Sequence, residues 1–239
     1  MDNSPSQNMW YSFNYSYATF VSISSETDFP LAPEGLDTTF LCGPFGDQLT
    51  WLEAQLQAAN ANRANRPWLI VTGHRPMYSC PISDFPPDAR LRLRQAMEGM
   101  FIKYKVDVYL SGHSMYSSSS FFFVFFVFFL PVFFSHPFFV FKVHGYERLY
   151  PIADGKVMNA TGYNNPQAPT YIIIGNAGNL EGHAPDLATN APGSPYVAAW
   201  NAEDYGYALM TVTRSSFEWI AYRDSDGAII DKFEIIKSP

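Results

Sequence analysis

Short apolar runs and amphipathic segments alternate along the first half of the chain. The run "MWYSFNYSYATFVSISS", Met9 to Ser25, is aromatic and β-branched with rough alternation, which predicts one or two strands. "RPWLIVTG" and "VDVYLSG" each contain a short apolar run, which predicts two buried strands. These two strands stop at Gly73-His74 and at Gly112-His113.

Two helices are predicted between these strands. Asp47 precedes "QLTWLEAQLQAANANR" and is placed to cap it, while "PPDARLRLRQAMEGMFIKYK" holds the second helix. In both segments large apolar residues recur at helical spacing, at Leu49, Leu52, Leu56, Leu93, Met97 and Phe101. Strand, loop and helix therefore recur twice. This predicts α/β layering, with the Gly-His pairs at the carboxyl ends of strands, where open sheets place their sites.

The last third of the chain follows a different pattern. "TYIIIGNAG", "YGYALMTVTRSSFEWIAYR" and "AIIDKFEIIK" are strand-like and are joined by turns such as "DSDG". We therefore expect a mainly β carboxyl-terminal region.

The length, charge and cysteine content of the chain limit the classes of protein to which it can belong. The chain has 239 residues and a formal charge of −7, enough length for one large or two small domains. The acidic balance argues against nucleic acid as a partner, and the first residues show no secretory signal. Cys42 and Cys80 either form one disulfide or stay buried as thiols. Asn14 and Asn159 begin Asn-x-Ser/Thr triplets, which matter only in a secreted chain.

The histidines carry the candidate chemistry. Among the five, His74 and His113 directly follow glycine at the end of an apolar strand, so that each imidazole is expected to point out of the strand end. Neutral imidazole is a preferred ligand for zinc and iron, and the two side chains are candidates for one shared metal. His136 and His183 show no such context.

Longer motifs resemble those of a known family. "TGHRPMYS" and "VDVYLSGH…VHGYERLYP" resemble the last metal-binding motifs of the purple acid phosphatases, which are calcineurin-like binuclear metallophosphoesterases. The family pattern Gly-His-x-His-x-Tyr-Glu-Arg appears in full when Gly112-His113 is joined to "VHGYER". The likeness extends through "NMWYSFNY", "ETDF", "QLTWLEAQL", "GNAGNLEG", "DYGYALM" and "DGAIIDKF", nearly everything except residues 114–142.

The resemblance implies a fold and a function. It implies the carboxyl-terminal half of a four-layer α/β/β/α metallophosphoesterase sandwich over residues 8–152, followed by a β-rich region over residues 153–239. It also implies acid hydrolysis of phosphomonoesters, with a small phosphate ester as substrate and a secreted location. The metal pair would be Fe(III) with Zn, Mn or Fe(II), about 3.5–4 Å apart, and would bind the ester and activate water.

The resemblance also assigns residues. His74 and His113 are expected to bind the divalent metal, and His144 the ferric ion. Arg75 is expected either to approach a phosphate oxygen or to pair with a carboxylate. Residues expected to support the site from nearby, or to pack beside it, are Tyr146, Glu147, Arg148, Asn176, Asn179 and Glu181.

Other family motifs are absent from these 239 residues. Gly-Asp-x-Gly, Gly-Asp-x-x-Tyr and Gly-Asn-His-Glu do not occur, so three of the seven expected ligands are present. Three imidazoles without a carboxylate would hold a metal pair weakly, because bridging and charge neutralisation are both lost. We therefore expect poor metal binding and no useful activity from this polypeptide alone. The alternatives are a non-catalytic fragment and a protein that associates with a membrane through its Phe-rich segment.

Residues 114–142 interrupt the Gly-His motif with twelve phenylalanines. Residues 121–140 are long enough to span a membrane, but a single crossing would place His113 and His144 on opposite sides of the bilayer. A natural lid or partner-binding loop would leave many phenylalanines in water. The third interpretation is a translated intron, since codons with pyrimidines at their first two positions encode only Phe, Leu, Ser and Pro. We favour the intron, because the motif becomes whole when the segment is removed.

The intron interpretation predicts the transcript. Sequencing of the message across the codons for residues 114–142 is expected to show that most copies lack them. A message that keeps these codons in most copies contradicts the interpretation.

Overall fold

The computed structural model describes residues 8–33, 43–79, 88–112, 115–117, 140–142, 145–158, 162–178 and 194–238. Most of these residues form a large mixed sheet with two helices on one face and a smaller sheet on the other.

The main sheet places the ends of its parallel strands at one edge. Across the sheet the strands are β1 (Tyr11–Tyr15), β2 (Ala18–Ser22), β3 (Trp68–Gly73), β4 (Val108–Ser111), β9 (Thr170–Ile174), β7 (Tyr146–Ala153) and β10 (Val197–Asn201). The four strands β2, β3, β4 and β9 are parallel, whereas β1 and β7 run antiparallel to their neighbours. The short strand β8 (Lys156–Val157) pairs with the end of β7. Carboxyl ends of β2, β3, β4 and β9 therefore share an edge with the amino end of β7.

Both predicted helices pack on the same face of this sheet. They are α1 (Gln48–Ala61) and α2 (Ala89–Lys103), and the Asp47 carboxylate accepts the Thr50 N–H at 3.1 Å, as predicted for a cap. The helical residues buried against the sheet include Leu52, Leu56, Leu93, Met97 and Phe101. The apolar spacing in the sequence thus identifies the face that each helix buries.

A three-stranded antiparallel sheet covers the other face. Its strands are β11 (Gly206–Val212), β12 (Ser216–Arg223) and β13 (Ile229–Ile236). Alternate residues of the main sheet, such as Trp68 and Ile70, meet Phe217, Trp219 and Phe233 of this second sheet. The described residues therefore form three layers, helix, sheet and sheet, which is the α/β/β part of the predicted sandwich. The division after residue 152 stays a prediction; β9, from the second region, lies between β4 and β7 of the first.

The Phe-rich segment begins and ends at neighbouring points. β5 (Met115–Ser117) and β6 (Val140–Lys142) pair antiparallel, with Met115 opposite Lys142. Residues 118–139, the central part of the predicted insert, lie outside the described residues. In the part of the chain that is described, no helix is long and apolar enough to cross a membrane.

Asp107 joins the layers at the amino ends of the parallel strands. Its side chain is 9% exposed and accepts from the Leu69 N–H at 2.7 Å. Arg63, just after α1, lies 2.5 Å from one carboxylate oxygen, and Lys237, just after β13, lies 2.7 Å from the other. One carboxylate therefore holds the helix layer, the main sheet and the end of the second sheet together.

A second buried ion pair connects the two sheets directly. Arg148 on β7 donates to both oxygens of Asp231 on β13, at 2.6 and 2.9 Å, and Tyr146 donates to the same carboxylate at 2.7 Å. Arg148 also donates to the Tyr163 hydroxyl and lies over the Phe233 ring. Burial alone would raise the pKa of Asp231, but the hydrogen bonds from Arg148 and Tyr146 hold the pKa below its ordinary value.

We predict that Asp231→Asn lowers the free energy of unfolding by about 3 kcal/mol, because it leaves the buried guanidinium without a charged partner. Glu218→Gln is the matched control, since Glu218 pairs with Lys232 at 2.8 Å on the exposed face of the same sheet and should cost under about 1 kcal/mol. Urea denaturation of the three proteins measures both effects.

The pH dependence of this difference follows from the lowered pKa. The stabilisation by ionised Asp231 is complete above the unfolded-state pKa, about 4, and disappears as the pH falls through the lower folded-state pKa. The gap between wild type and Asp231→Asn should therefore narrow below about pH 4. A gap of constant size down to pH 2 contradicts this assignment.

Candidate metal centre

Loops from several strands meet at the edge where the parallel strands end. Residues 24–27 follow β2, His74 and Arg75 follow β3, Gly112 follows β4 and Gly175 follows β9. Gly145, which precedes β7, lies at the same edge. Both Gly-His pairs of the sequence thus have their glycines at this edge, as predicted from their position after apolar strands.

The turn that carries His74 is fixed by three hydrogen bonds. The His74 carbonyl accepts from the Gly112 N–H at 3.1 Å, and the Arg75 N–H donates to the Ser25 hydroxyl at 2.7 Å. Tyr109, buried on β4, donates its hydroxyl to the Arg75 carbonyl at 2.6 Å. Burial, together with the nearby Glu26 charge, raises the pKa of Tyr109, so its hydroxyl remains a donor. The imidazole of His74 is about half exposed, at 54%, on a backbone that cannot shift freely.

Glu26 lies between His74 and Arg75. One carboxylate oxygen is 2.8 Å from Arg75 Nε, and the other is 3.9 Å from His74 Nε2. Of the two roles expected for Arg75, the structure therefore contains the carboxylate pair. Sequence reasoning missed Glu26; its only signal was a carboxylate in the "SSETDF" loop directly after a predicted strand.

Three glycines bring the remaining parts of the site together. The Gly175 N–H donates to the Gly145 carbonyl at 3.0 Å. A Cβ on Gly175 would lie 2.6 Å from the Gly112 carbonyl oxygen and 3.3 Å from that of Gly145. The segments that lead to His113 and away from His144 therefore run side by side, and only glycine fits between them.

Several predicted site residues are not described. His113, His144, Asn179 and Glu181 lie outside the described residues, as do His136, His183, Cys42, Cys80 and Asn159. The predicted convergence of three imidazoles therefore stays a prediction. What the structure establishes is the position of His74 and of the glycines next to the other two.

The Tyr-Glu-Arg triplet occupies both faces of β7. Tyr146 and Arg148 extend toward the second sheet, where they bind Asp231. Glu147 lies between them in sequence and is 1% exposed. Tyr146 and Arg148 hold β7 in place from the side away from the helices, only two to four residues after His144.

Asn176 links the site edge to the start of the second sheet. Its side-chain amide donates to the Asp204 carbonyl at 3.1 Å, and its own carbonyl accepts the Gly206 N–H at 2.8 Å. It is 2% exposed. This is the packing role expected for Asn176.

The donor chemistry of this edge fits a divalent metal. Imidazole and carboxylate are ligands that zinc, manganese and iron accept, and His74 presents an exposed imidazole beside the Glu26 carboxylate. Within the described ranges, no group of three His, Cys, Asp or Glu residues is placed to hold a metal. A complete centre would need donors from residues beyond these ranges.

Comparison with known families gives two matches. The family model described as calcineurin-like phosphoesterase matches residues 3–117, and the one described as iron/zinc purple acid phosphatase-like protein C matches residues 168–232.

Several curated proteins are similar over nearly the whole chain. An acid phosphatase from Aspergillus ficuum is 33% identical over 96% of this chain and 38% of its own length. An acid phosphatase type 7 from Danio rerio is 31% identical, covering 97% of this chain and 47% of that protein. The Fe(3+)-Zn(2+) purple acid phosphatase 12 of Arabidopsis thaliana is 27% identical over 93% of this chain. The chain thus spans less than half the length of these relatives.

Solved structures share the fold. The purple acid phosphatase PPD1 from yellow lupin seeds matches 96% of this chain and 33% of its own, with a TM-score of 0.66 and 22% identity. GAP50, the anchor in the inner membrane complex of Plasmodium, matches with a TM-score of 0.51 and 16% identity.

The tight turn at Gly73 yields a stability prediction. A Cβ there would lie 2.5 Å from the Tyr109 hydroxyl, so Gly73→Ala should cost about 1–3 kcal/mol. Gly99→Ala is the control, since nothing lies within 4 Å of its Cβ and the change suits the interior of α2. Urea denaturation measures both.

A double variant tests the cause. Tyr109→Phe removes the oxygen that the new methyl group meets, so the losses from Gly73→Ala and Tyr109→Phe should sum to more than the loss in the double variant. Strict additivity, or a Gly73→Ala protein as stable as wild type, contradicts the packing described for this turn.

Proposed function

The chain belongs to the purple acid phosphatases, within the calcineurin-like phosphoesterases, and from this membership we propose that it supplies the carboxyl-terminal part of the metal centre of an acid phosphatase. The proposed reaction is the hydrolysis of phosphomonoesters. The proposed substrate is a small phosphate ester, and nucleic acid is not proposed as a partner because the chain is acidic.

The observation that carries the proposal is the meeting of backbones at the sheet edge. The Gly112 N–H holds the His74 carbonyl, and Gly175 contacts the carbonyls of both Gly112 and Gly145. His113 follows Gly112 and His144 precedes Gly145, so each lies one residue from this contact in sequence. This contact between Gly112, Gly145 and Gly175 supports the proposal that the three ligand positions of the family motif lie near one another.

The metals proposed are those of the family. His74 and His113 would hold the divalent ion, which is Zn, Mn or Fe(II), and His144 would hold Fe(III). When bound, such a pair supplies Lewis-acid polarisation of the ester and a water of lowered pKa. Arg75, held by Glu26 beside His74, contributes positive charge that favours an anionic substrate.

Location and modification are also proposed from the family. A secreted acid phosphatase would meet the glycosylation machinery, for which the triplets at Asn14 and Asn159 are acceptors. Asn14 lies on the exposed side of β1, where its side chain accepts from the Thr19 hydroxyl at 2.9 Å.

A non-catalytic fragment is the second candidate. It is favoured by the absence of the Gly-Asp-x-Gly, Gly-Asp-x-x-Tyr and Gly-Asn-His-Glu motifs from these 239 residues. Metal analysis of the protein extended upstream distinguishes the two candidates, because iron or zinc retained there would mean that this chain completes a metal centre.

The proposal predicts activity that depends on further sequence. Phosphate release from p-nitrophenyl phosphate at mildly acidic pH, with iron and zinc supplied, should be undetectable for the 239 residues alone. It should appear when the coding region is extended upstream to include the three missing motifs.

The variant His74→Ala in that longer protein should lose about 100-fold or more in activity. Substitution of residues that hydrogen-bond to metal ligands typically lowers activity 10–100-fold, and removal of a ligand itself should lower it further. Glu53→Gln, in an exposed pair with Lys103 on the helix layer, is the control and should change little. Equal activity of the His74→Ala protein and the control contradicts the proposed centre.

A further inference from the structure

We propose that the Glu26 carboxylate and the His74 imidazole together bind one divalent cation, so that Glu26 is a metal ligand of this edge of the sheet. The inference rests on the proposed function, because it places the cation at the predicted divalent position. It adds a carboxylate to a ligand set that otherwise contains only imidazoles within this chain.

The separation of the two donors suits a shared ion. Zinc lies about 2.0–2.2 Å from imidazole nitrogen and carboxylate oxygen. Two such donors on one ion are therefore about 3–4 Å apart, depending on the angle between them. The Glu26 oxygen and His74 Nε2 are 3.9 Å apart, too far for a hydrogen bond and within the range for a common ion.

The other carboxylate oxygen fixes the orientation of Glu26. Arg75 Nε lies 2.8 Å from it, so the first oxygen remains directed toward His74. The Arg75 side chain is 12% exposed and the Glu26 side chain 21%, which makes this pair more rigid than an open surface pair. Arg75 thus acts as a positioning residue for the carboxylate.

The loop that carries Glu26 is itself held in place. Gln48, fully buried at the start of α1, accepts from the Ser24 N–H at 2.6 Å and donates to the carbonyls of Ser24 and Thr27 at 3.0 Å. Ser25 in the same loop accepts the Arg75 N–H. The loop after β2 and the turn after β3 are therefore locked to each other, which is how a preformed metal site is built.

The charge of the ion favours a carboxylate ligand within this chain. Neutral imidazoles do not compensate the charge of a divalent cation. A carboxylate does, and the second oxygen of Glu26 accepts a hydrogen bond from Arg75. Glu26 is the carboxylate that the described structure places within 4 Å of His74.

Cobalt binding to the 239-residue chain tests the inference without any enzymatic assay. Co²⁺ substitutes for zinc, and its visible absorption reports the donor atoms around it. We expect wild type to show such a spectrum and Glu26→Gln to bind at least 10-fold more weakly, with a changed spectrum at saturation. Glu53→Gln, the exposed control, should match wild type in both.

Arg75→Gln separates ligation from the ion pair. If Glu26 is a ligand, this variant weakens cobalt binding less than Glu26→Gln does and keeps the wild-type spectrum at saturation, because Arg75 only positions the carboxylate. If Arg75→Gln weakens binding as much as Glu26→Gln, or if Glu26→Gln gives the wild-type spectrum at saturation, the inference is wrong. Far-ultraviolet circular dichroism confirms that each variant folds.

His74→Ala distinguishes this failure from failure of the proposed function. Loss of cobalt binding in His74→Ala, together with unchanged binding in Glu26→Gln, overturns only the role of Glu26. Unchanged binding in His74→Ala overturns the proposed metal centre as well. The absence of any cobalt spectrum in wild type overturns the role of Glu26, because the pair would then not bind an ion in this chain.

Discussion

The contact between the backbones of Gly112, Gly145 and Gly175 is the constraint on which the candidate site depends. Parallel strands bring loop ends to a common edge, but loops with side chains would keep those backbones apart. With a carbonyl 2.6 Å from where a Cβ would be, Gly175 admits no larger residue without displacement of its neighbours. The close approach brings the segment that ends at Gly112 beside the segment that begins at Gly145, although the two are distant in sequence.

The two buried ion pairs explain how this edge stays in place. Asp107 joins the layers at the amino ends of the parallel strands, and Asp231 joins the two sheets directly behind β7. Each carboxylate is satisfied by several donors, which offsets the cost of burying its charge. The lowered pKa of Asp231 keeps this pair ionised at mildly acidic pH.

Local sequence patterns predicted the helices and strands that are held in place by contacts close in sequence or by apolar packing alone. Leucine spacing identified α1 and α2, and apolar runs identified β3, β4 and β9. β7 and β10 were not predicted. β7 carries "YERLYPI", and its polar residues Tyr146 and Arg148 are typical of a surface segment. They are buried because both bind the carboxylate of Asp231, which lies 83 or more residues further along the chain. Glu26 was missed for a related reason, since its meeting with His74 depends on the pairing of β2 with β3.

The pairing of Met115 with Lys142 has a practical consequence for the chain between them. Because Met115 and Lys142 are paired, the chain leaves and re-enters the described structure at adjacent points, so a segment of a different length between them does not require these two strands to separate. The position is therefore a permissive one for protein engineering. A reporter domain whose own termini are adjacent should be accepted there in exchange for the phenylalanines.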